Sequence, residues 1–314
     1  LLKEETDIKP VVNEYDNLFK KLCKKWYREG RISSDLSVLP FEQRALAIAG
    51  EGAIHDLYNY LRIFFNPPKG IDEHSPIHVG PAVLGLVSNK KLLDVIETFI
   101  GKEIYFNPVS IVRFKPPERL FIENLRRPDG SSRSTGGISS QFWHQDQAVF
   151  AKNTTDIDML TVWISLTDAT KEMGCLIISP GTHLEGLAVH CAKAGKAGIP
   201  EIELEGTRTF LETEAGDVVF MNKLLKHGSL SNVSDRLRFS FDLRYQPNLS
   251  SGGKRFLGSK GFVVRSAENP EQVIDTSKKW YELQESNRRF LMNMNPDTEP
   301  SMQNHFDNDH EWCF

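Results

Sequence analysis

The pattern of residues 103–250 predicts a mainly β fold with flanking helices, its core a double-sheet jelly roll. Three observations carry this. From Glu103 onward, β-branched and aromatic residues come in short runs punctuated by Gly and Pro. Leu160 to Leu166 alternates: Leu160, Val162, Ile164 and Leu166 share one face, and Thr161, Trp163 and Ser165 the other. No Gly-x-Gly-x-x-Gly follows any of these runs, so a dinucleotide-binding fold has no support.

One domain with three parts follows: a helical part over 1–102, the jelly-roll core over 103–250 and an extension over 251–314. In the first part, Tyr15, Leu18, Phe19, Leu22 and Trp26 recur with helical period, so 11–29 reads as a helix stopped by Gly30. Residues 42–50, 53–65 and 90–100 read likewise, the second ended by Asn66-Pro67-Pro68 and the last closed by Gly101. His55 falls on a helix and His74 and His78 in a polar loop, where packing or surface roles suit them. Tyr105–Lys115 is a strand. Residues 126–140 have loop composition and run into Trp143-His144-Gln145-Asp146, so a lid and an ordinary surface loop both fit. Cys175–Ser179, Thr209–Glu212, Asp217–Met221 and Leu237–Gln246 are further strands, and another starts at His227. The small residues of 184–206 suit a surface loop. So many short strands fit a double-stranded β-helix of the cupin-like kind. The extension has a turn at Ser251-Gly252-Gly253 and an amphipathic helix near Thr276–Met292.

Composition narrows the function. The 314 residues carry a net charge of −4 and no basic stripe, which argues against a nucleic-acid partner. No apolar run approaches the roughly 20 residues of a membrane-crossing helix. The four cysteines, Cys23, Cys175, Cys191 and Cys313, are scattered; reduced thiols in a cytoplasmic protein are expected. The chain opens without Met, so its true start is expected upstream. The matches to N-x-S/T at Asn153, Asn232 and Asn248 read as chance.

His144 and Asp146 stand two positions apart, a spacing that puts both on one face of a strand. A third ligand must come from elsewhere, and His227 is the best placed. Two histidines and a carboxylate on one face of an ion form the facial triad of non-haem Fe(II) oxygenases, with positions left open opposite. Arg238 follows His227 by eleven positions. Around it Leu237, Phe239, Phe241, Leu243 and Tyr245 share one strand face, and Arg238, Ser240, Asp242, Arg244 and Gln246 the other. On the spacing alone, the polar face either meets water or lines a barrel.

With Trp143-His144-Gln145-Asp146-Gln147, Thr161-Val162-Trp163-Ile164-Ser165-Leu166, Gly174-Cys175-Leu176, Pro180-Gly181-Thr182-His183, His227-Gly228-Ser229 and Arg238, the chain resembles the phytanoyl-CoA dioxygenase family over roughly Ile104 to Pro247. The resemblance implies Fe(II) held by His144, Asp146 and His227, with 2-oxoglutarate and O2 as co-substrates and ascorbate as a supporting reductant. Arg238 then takes the distal carboxylate of 2-oxoglutarate, a task a guanidinium fork suits. Ser229, Gln145 and Trp163 match co-substrate contacts, and Lys115 matches a second cation. Turn capping and core packing are the other uses open to Ser229 and Trp163. His183 matches a histidine that is not a ligand. The carboxylate at Asp146 favours hydroxylation, desaturation or ring closure over halogenation. Arg244 either holds a carboxylate on the prime substrate, a small metabolite or natural product, or pairs with Asp242. No basic cluster for a CoA phosphate stands out. A non-catalytic cupin-like binding protein that keeps the triad is the competing reading, and it leaves Arg238 without a use. A zinc hydrolase leaves both Arg238 and Ser229 unexplained. The oligomeric state is not legible.

Overall fold

The computed structural model describes residues 1–65, 71–120, 141–150, 157–193, 196–200, 206–247 and 258–295, with 152, 204, 298, 305 and 306. The stretch 126–140, open as a lid or a surface loop, and the turn expected at 251–253 lie outside them.

Five helices lead the chain: α1 (Lys9–Arg28), α2 (Phe41–Gly50), α3 (Ile54–Leu61), α4 (Pro81–Val87) and α5 (Lys90–Ile100). The stripe of α1 is buried as its period requires, from Val11 through Tyr15, Phe19 and Leu22 to Trp26. Gly30 turns the chain after it at φ 68°, a left-handed conformation that costs little without a Cβ. α5 is capped by the Asn89 side chain, which accepts from the backbone N–H groups of Lys91 and Leu92. α3 stops short of the expected 65 because Arg62 turns extended and its carbonyl accepts from the His78 N–H.

The strands are β1 (Ile104–Phe106), β2 (Ile111–Lys115), β3 (Gln141–His144), β4 (Leu160–Ser165), β5 (Leu176–Ile178), β6 (Cys191–Lys193), β7 (Lys196–Gly198), β8 (Thr209–Leu211), β9 (Val218–Asn222), β10 (His227–Ser229), β11 (Arg238–Pro247) and β12 (Phe262–Arg265). A one-turn helix, α6 (Asp146–Val149), follows β3, and α7 (Ser277–Asn293) follows β12. One sheet runs β12-β1-β11-β4-β9 with β2 also on β11, and the second runs β3-β10-β5-β8. Every pairing in both is antiparallel. β6 and β7 form a separate hairpin inside the stretch expected as a loop.

The single strand expected over 105–115 is two. Asn107 breaks it: its backbone N–H donates to the Arg244 carbonyl, its amide donates to Gln246 Oε1, and its side-chain oxygen accepts from the Val109 N–H. Both halves still pair with β11.

β11 is the hinge of the architecture. Phe239, Phe241, Leu243 and Tyr245 join one buried cluster with the helices. The Tyr15 ring packs on Phe239 at 5.3 Å and on Phe241 at 6.2 Å. Each such buried side chain is worth roughly 1.5–3 kcal/mol. With that face covered by helices, the polar face of β11 looks toward the second sheet. It is buried rather than wet, which decides the alternative left open by the spacing.

The thiol expectation holds for Cys23 and Cys175, which are free and buried. It fails at Cys191, which is disulfide-bonded. Among the described residues, no helix is long and apolar enough to cross a membrane.

Candidate active site

The two sheets enclose a cleft of about 370 Å³, counting its open mouth. The large sheet contributes Arg113, Trp163, Met221, Arg238 and Asp242, and the small sheet His144, Leu176, His227, Gly228 and Ser229.

Antiparallel pairing of β3 with β10 sets His144 directly opposite His227, with ring centroids 4.3 Å apart. Asp146 is not on the strand, as the spacing suggested, but is the first residue of α6. It still converges on the histidines because Gln145 stays extended, so the alternation of sides survives one residue beyond the ladder. His144 Nε2 and Asp146 Oδ1 are 3.8 Å apart. Ligand atoms of His144, Asp146 and His227 all lie within 4.8 Å of one another, and all three residues are buried.

Their protonation suits a cation. His144 Nδ1 sits 2.8 Å from the Phe142 carbonyl and His227 Nδ1 2.9 Å from the Leu225 carbonyl, so each Nδ1 donates and each ring is oriented by that bond. Burial, and then the nearby His227, push the His144 imidazole down to about 3, so it is neutral at physiological pH. Burial alone would raise the Asp146 carboxyl. The Arg244 guanidinium outweighs it, by its charge and its hydrogen bond, and holds the group below the ordinary carboxylate range. Two imidazoles and one ionised carboxylate are the donor set a first-row divalent metal takes.

Arg238 lies in the same cleft, 2 % exposed. Its Nη1 donates to the Gly174 carbonyl at 2.8 Å, and its guanidinium lies 5.7 Å from the Trp163 ring centroid. Its Nε is buried without a hydrogen-bond partner among the described residues, and no carboxylate there pairs with it. Burial, only partly relieved by Tyr58, pulls its pKa down to about 10, so it remains a cation. A buried cation with an unused donor fits a carboxylate ligand. Gly174 is a glycine for a steric reason: φ is 81°, and a Cβ would lie 2.6 Å from the Leu230 carbonyl oxygen.

The sequence matches the phytanoyl-CoA dioxygenase (PhyH) family over residues 124–240. That part of the chain is similar to the phytanoyl-CoA dioxygenase family. The chain is 26% identical over 204 residues to human peroxisomal phytanoyl-CoA dioxygenase, covering 62% of this chain and 53% of that protein. A probable phytanoyl-CoA dioxygenase of Caenorhabditis elegans is 31% identical over 195 residues, covering 60% and 56%. The 1-deoxypentalenic acid 11-beta-hydroxylase of Streptomyces exfoliatus is 31% identical over 183 residues, covering 54% and 58%. The chain thus spans about half the length of the curated relatives it matches. Among solved structures, an apo non-heme monooxygenase is similar with a TM-score of 0.46 at 17% identity, covering 68% of this chain and 75% of that one.

Of the positions matched to the phytanoyl-CoA dioxygenase pattern, the cleft gathers His144, His227, Ser229, Arg238 and Trp163 at its walls, with Asp146 among the clustered ligands. Lys115 stands opposite Arg238 in the β2–β11 ladder and donates to Ser229 Oγ at 2.8 Å and to the Leu230 carbonyl at 2.6 Å. Burial first, then Arg238 and Arg113, lower its pKa well below the ordinary lysine value.

One expectation is corrected and one open alternative is decided. Gln145 does not border the cleft. It is fully buried, its Nε2 donates to the Gly186 and Leu224 carbonyls, and its Oε1 accepts from the Ala188 N–H. Its backbone N–H donates to His190 Nε2. An amide between two ligands on an extended segment must point opposite to them, and here it ties down the loop behind the site. Arg244 is not available to a substrate carboxylate. Its Nη2 donates to Asp146 Oδ1 at 2.6 Å and reaches Asp242 Oδ1 at 3.2 Å, and Nη1 donates to the Val109 carbonyl at 2.7 Å. The pairing with Asp242 was foreseen; that with Asp146 was not.

Residue-by-residue reading of the sequence missed Arg113 and Thr161, and it read Asp242 only as a partner for Arg244. Arg113 lines the cleft and pairs with Asp242 at 3.3 Å. Thr161 Oγ1 donates to Asp146 Oδ2. A local signal existed for each. Arg113 shares a face with Lys115, Thr161 with Trp163, and Asp242 with Arg238.

Proposed function

We propose that the protein is an Fe(II)- and 2-oxoglutarate-dependent oxygenase acting on an unactivated C–H bond of a small metabolite or natural product. One observation carries the reading: among the described residues, a buried, carboxylate-free arginine shares a cleft with two histidines beside an ionised aspartate. Metal binding alone has no need of Arg238, so the arrangement disfavours a non-catalytic binding protein.

His144, Asp146 and His227 would hold the iron. Bound iron, with 2-oxoglutarate and O2, supplies the oxidising power, coupling release of succinate and CO2 to oxidation of the substrate. The chain supplies placement. Arg238 takes the distal carboxylate in two charge-assisted hydrogen bonds, Ser229 adds a hydroxyl, Lys115 fixes Ser229, and Trp163 walls the pocket. Leu176 and Met221 leave the cleft partly apolar, which suits a C–H bond and keeps water sparse. The relatives' names point to a carbon skeleton as substrate: one is named for phytanoyl-CoA and another for 1-deoxypentalenic acid. Hydroxylation is the reading they favour over desaturation or ring closure.

The test is succinate formation from 2-oxoglutarate with Fe(II) and ascorbate, with and without O2, beside His144→Ala. Oxygen-dependent succinate that vanishes in the variant supports the reading, and opens a substrate screen. A wild-type protein that binds neither Fe(II) nor 2-oxoglutarate overturns it.

A further inference from the structure

Both oxygens of Asp146 are engaged before any ion arrives. Arg244 Nη2 donates to Oδ1 at 2.6 Å, and Thr161 Oγ1 donates to Oδ2. All three side chains are buried. Arg244 cannot swing away, because it is also fixed by the Val109 carbonyl and by Asp242. Asp242 is in turn paired with Arg113. Thr161 is held by β4, where it lies opposite both Arg244 of β11 and Met221 of β9. The carboxylate is therefore gripped from two sides by groups on strands of one sheet.

A carboxylate can bind a metal through one oxygen or chelate it through both. The difference matters at a facial triad. One-oxygen binding uses three positions of an octahedral ion and leaves three open. Chelation by the aspartate takes a fourth, so a co-substrate needing two adjacent positions, plus O2, is short of one. Each carboxylate oxygen has about two lone-pair directions, so a hydrogen bond on an oxygen still leaves that oxygen one for the metal. What the two hydrogen bonds fix is the plane of the carboxylate, and turning that plane about the ion breaks at least one charge-assisted or buried hydrogen bond.

We propose that Arg244 and Thr161 are positioning residues that hold Asp146 as a one-oxygen ligand and so keep a coordination position free for the co-substrate. This rests on the oxygenase reading above. It assigns Arg244, whose charge faces the metal ligand, a role in setting coordination rather than in recognising substrate.

The experiment separates metal uptake from co-substrate uptake. Co(II) serves as the probe, titrated anaerobically into wild type, Thr161→Val, Arg244→Gln and Arg244→Lys, with the visible ligand-field spectrum recorded; 2-oxoglutarate is then titrated into each Co(II) form. The expected result for Thr161→Val and Arg244→Gln is Co(II) affinity within about threefold of wild type or tighter, and a changed ligand-field spectrum. Affinity for 2-oxoglutarate falls at least tenfold. Arg244→Lys restores part of the 2-oxoglutarate affinity. Thr161→Val conserves shape, so it carries the test if Arg244→Gln does not fold. Folded variants with the wild-type spectrum and wild-type 2-oxoglutarate affinity overturn the proposal, as does parallel loss of Co(II) and 2-oxoglutarate binding. A wild-type protein that takes up no Co(II) instead sinks the facial-triad reading beneath it.

Discussion

Replacing Arg238 by Met separates binding from stability, because the two are expected to move in opposite directions. In the free protein Arg238 is a buried cation with no paired carboxylate among the described residues, fixed only by the Gly174 carbonyl and the Trp163 ring. Its pKa falls from 12.5 to about 10, chiefly through burial. At about 1.4 kcal/mol per pKa unit, keeping the charge inside costs the free protein about 3 kcal/mol. The sign is that of a cation with a depressed folded pKa: the penalty is fully present below pH 10 and fades above it. Losing the hydrogen bond and the ring contact costs about 1–2 kcal/mol in return. Arg238→Met is therefore expected to stabilise the ligand-free protein by about 1 kcal/mol in urea melts. Its affinity for 2-oxoglutarate should fall by about 3–4 kcal/mol, or roughly 10²–10³-fold in Kd, as two charge-assisted hydrogen bonds disappear. Metal affinity should stay within a few-fold of wild type, since Arg238 touches none of the three ligands. Calorimetric titration of the metal-loaded variant with 2-oxoglutarate measures the loss. Unchanged 2-oxoglutarate affinity would refute the assignment of Arg238, and marked destabilisation of the free variant would refute its description as a strained cation.

Gly174→Ala should destabilise the fold by about 1–2 kcal/mol, since φ is 81° and the added Cβ meets the Leu230 carbonyl oxygen at 2.6 Å. It should also weaken 2-oxoglutarate binding by moving the carbonyl that orients Arg238, and melts with titrations read both. Gln145→Ala removes three buried hydrogen bonds and is expected to cost about 3 kcal/mol of stability. The variant that remains folded should bind 2-oxoglutarate as wild type does, and a specific loss of that affinity would return Gln145 to the pocket. His144 and His190 are buried imidazoles pushed down to about 3 and about 4, in each case mainly by burial. Both are neutral when folded and protonate near pH 6.5 when unfolded, so their contribution is intact above that value and is lost as pH falls toward the folded pKa. Metal-free protein should lose about 2 kcal/mol per pH unit between pH 6 and 4.5 from these two groups. His190→Gln should remove about half of that slope, and an unchanged slope would show that His190 is not buried neutral.

Much of this molecule is legible along the chain. The stripe Val11, Tyr15, Phe19, Leu22, Trp26 sets α1, and strict alternation sets β4 and β11, because a repeating backbone geometry decides which side each residue takes. The ligand types and the interval from His227 to Arg238 mark the site, since few chemistries need that donor set beside a guanidinium. What lies across from each side is not local. Whether the polar face of β11 meets water or a second sheet is decided only when helices cover its other face. Arg113 meets Asp242 across 129 positions, and Arg244 meets Asp146 across 98. In the sequence Gln145 matches a co-substrate contact and Arg244 fits either a substrate carboxylate or Asp242; packing sends the first to a loop and the second to the carboxylates of Asp146 and Asp242. Buried charges must find partners or pay desolvation, and only the closed pair of sheets determines which partners are within reach.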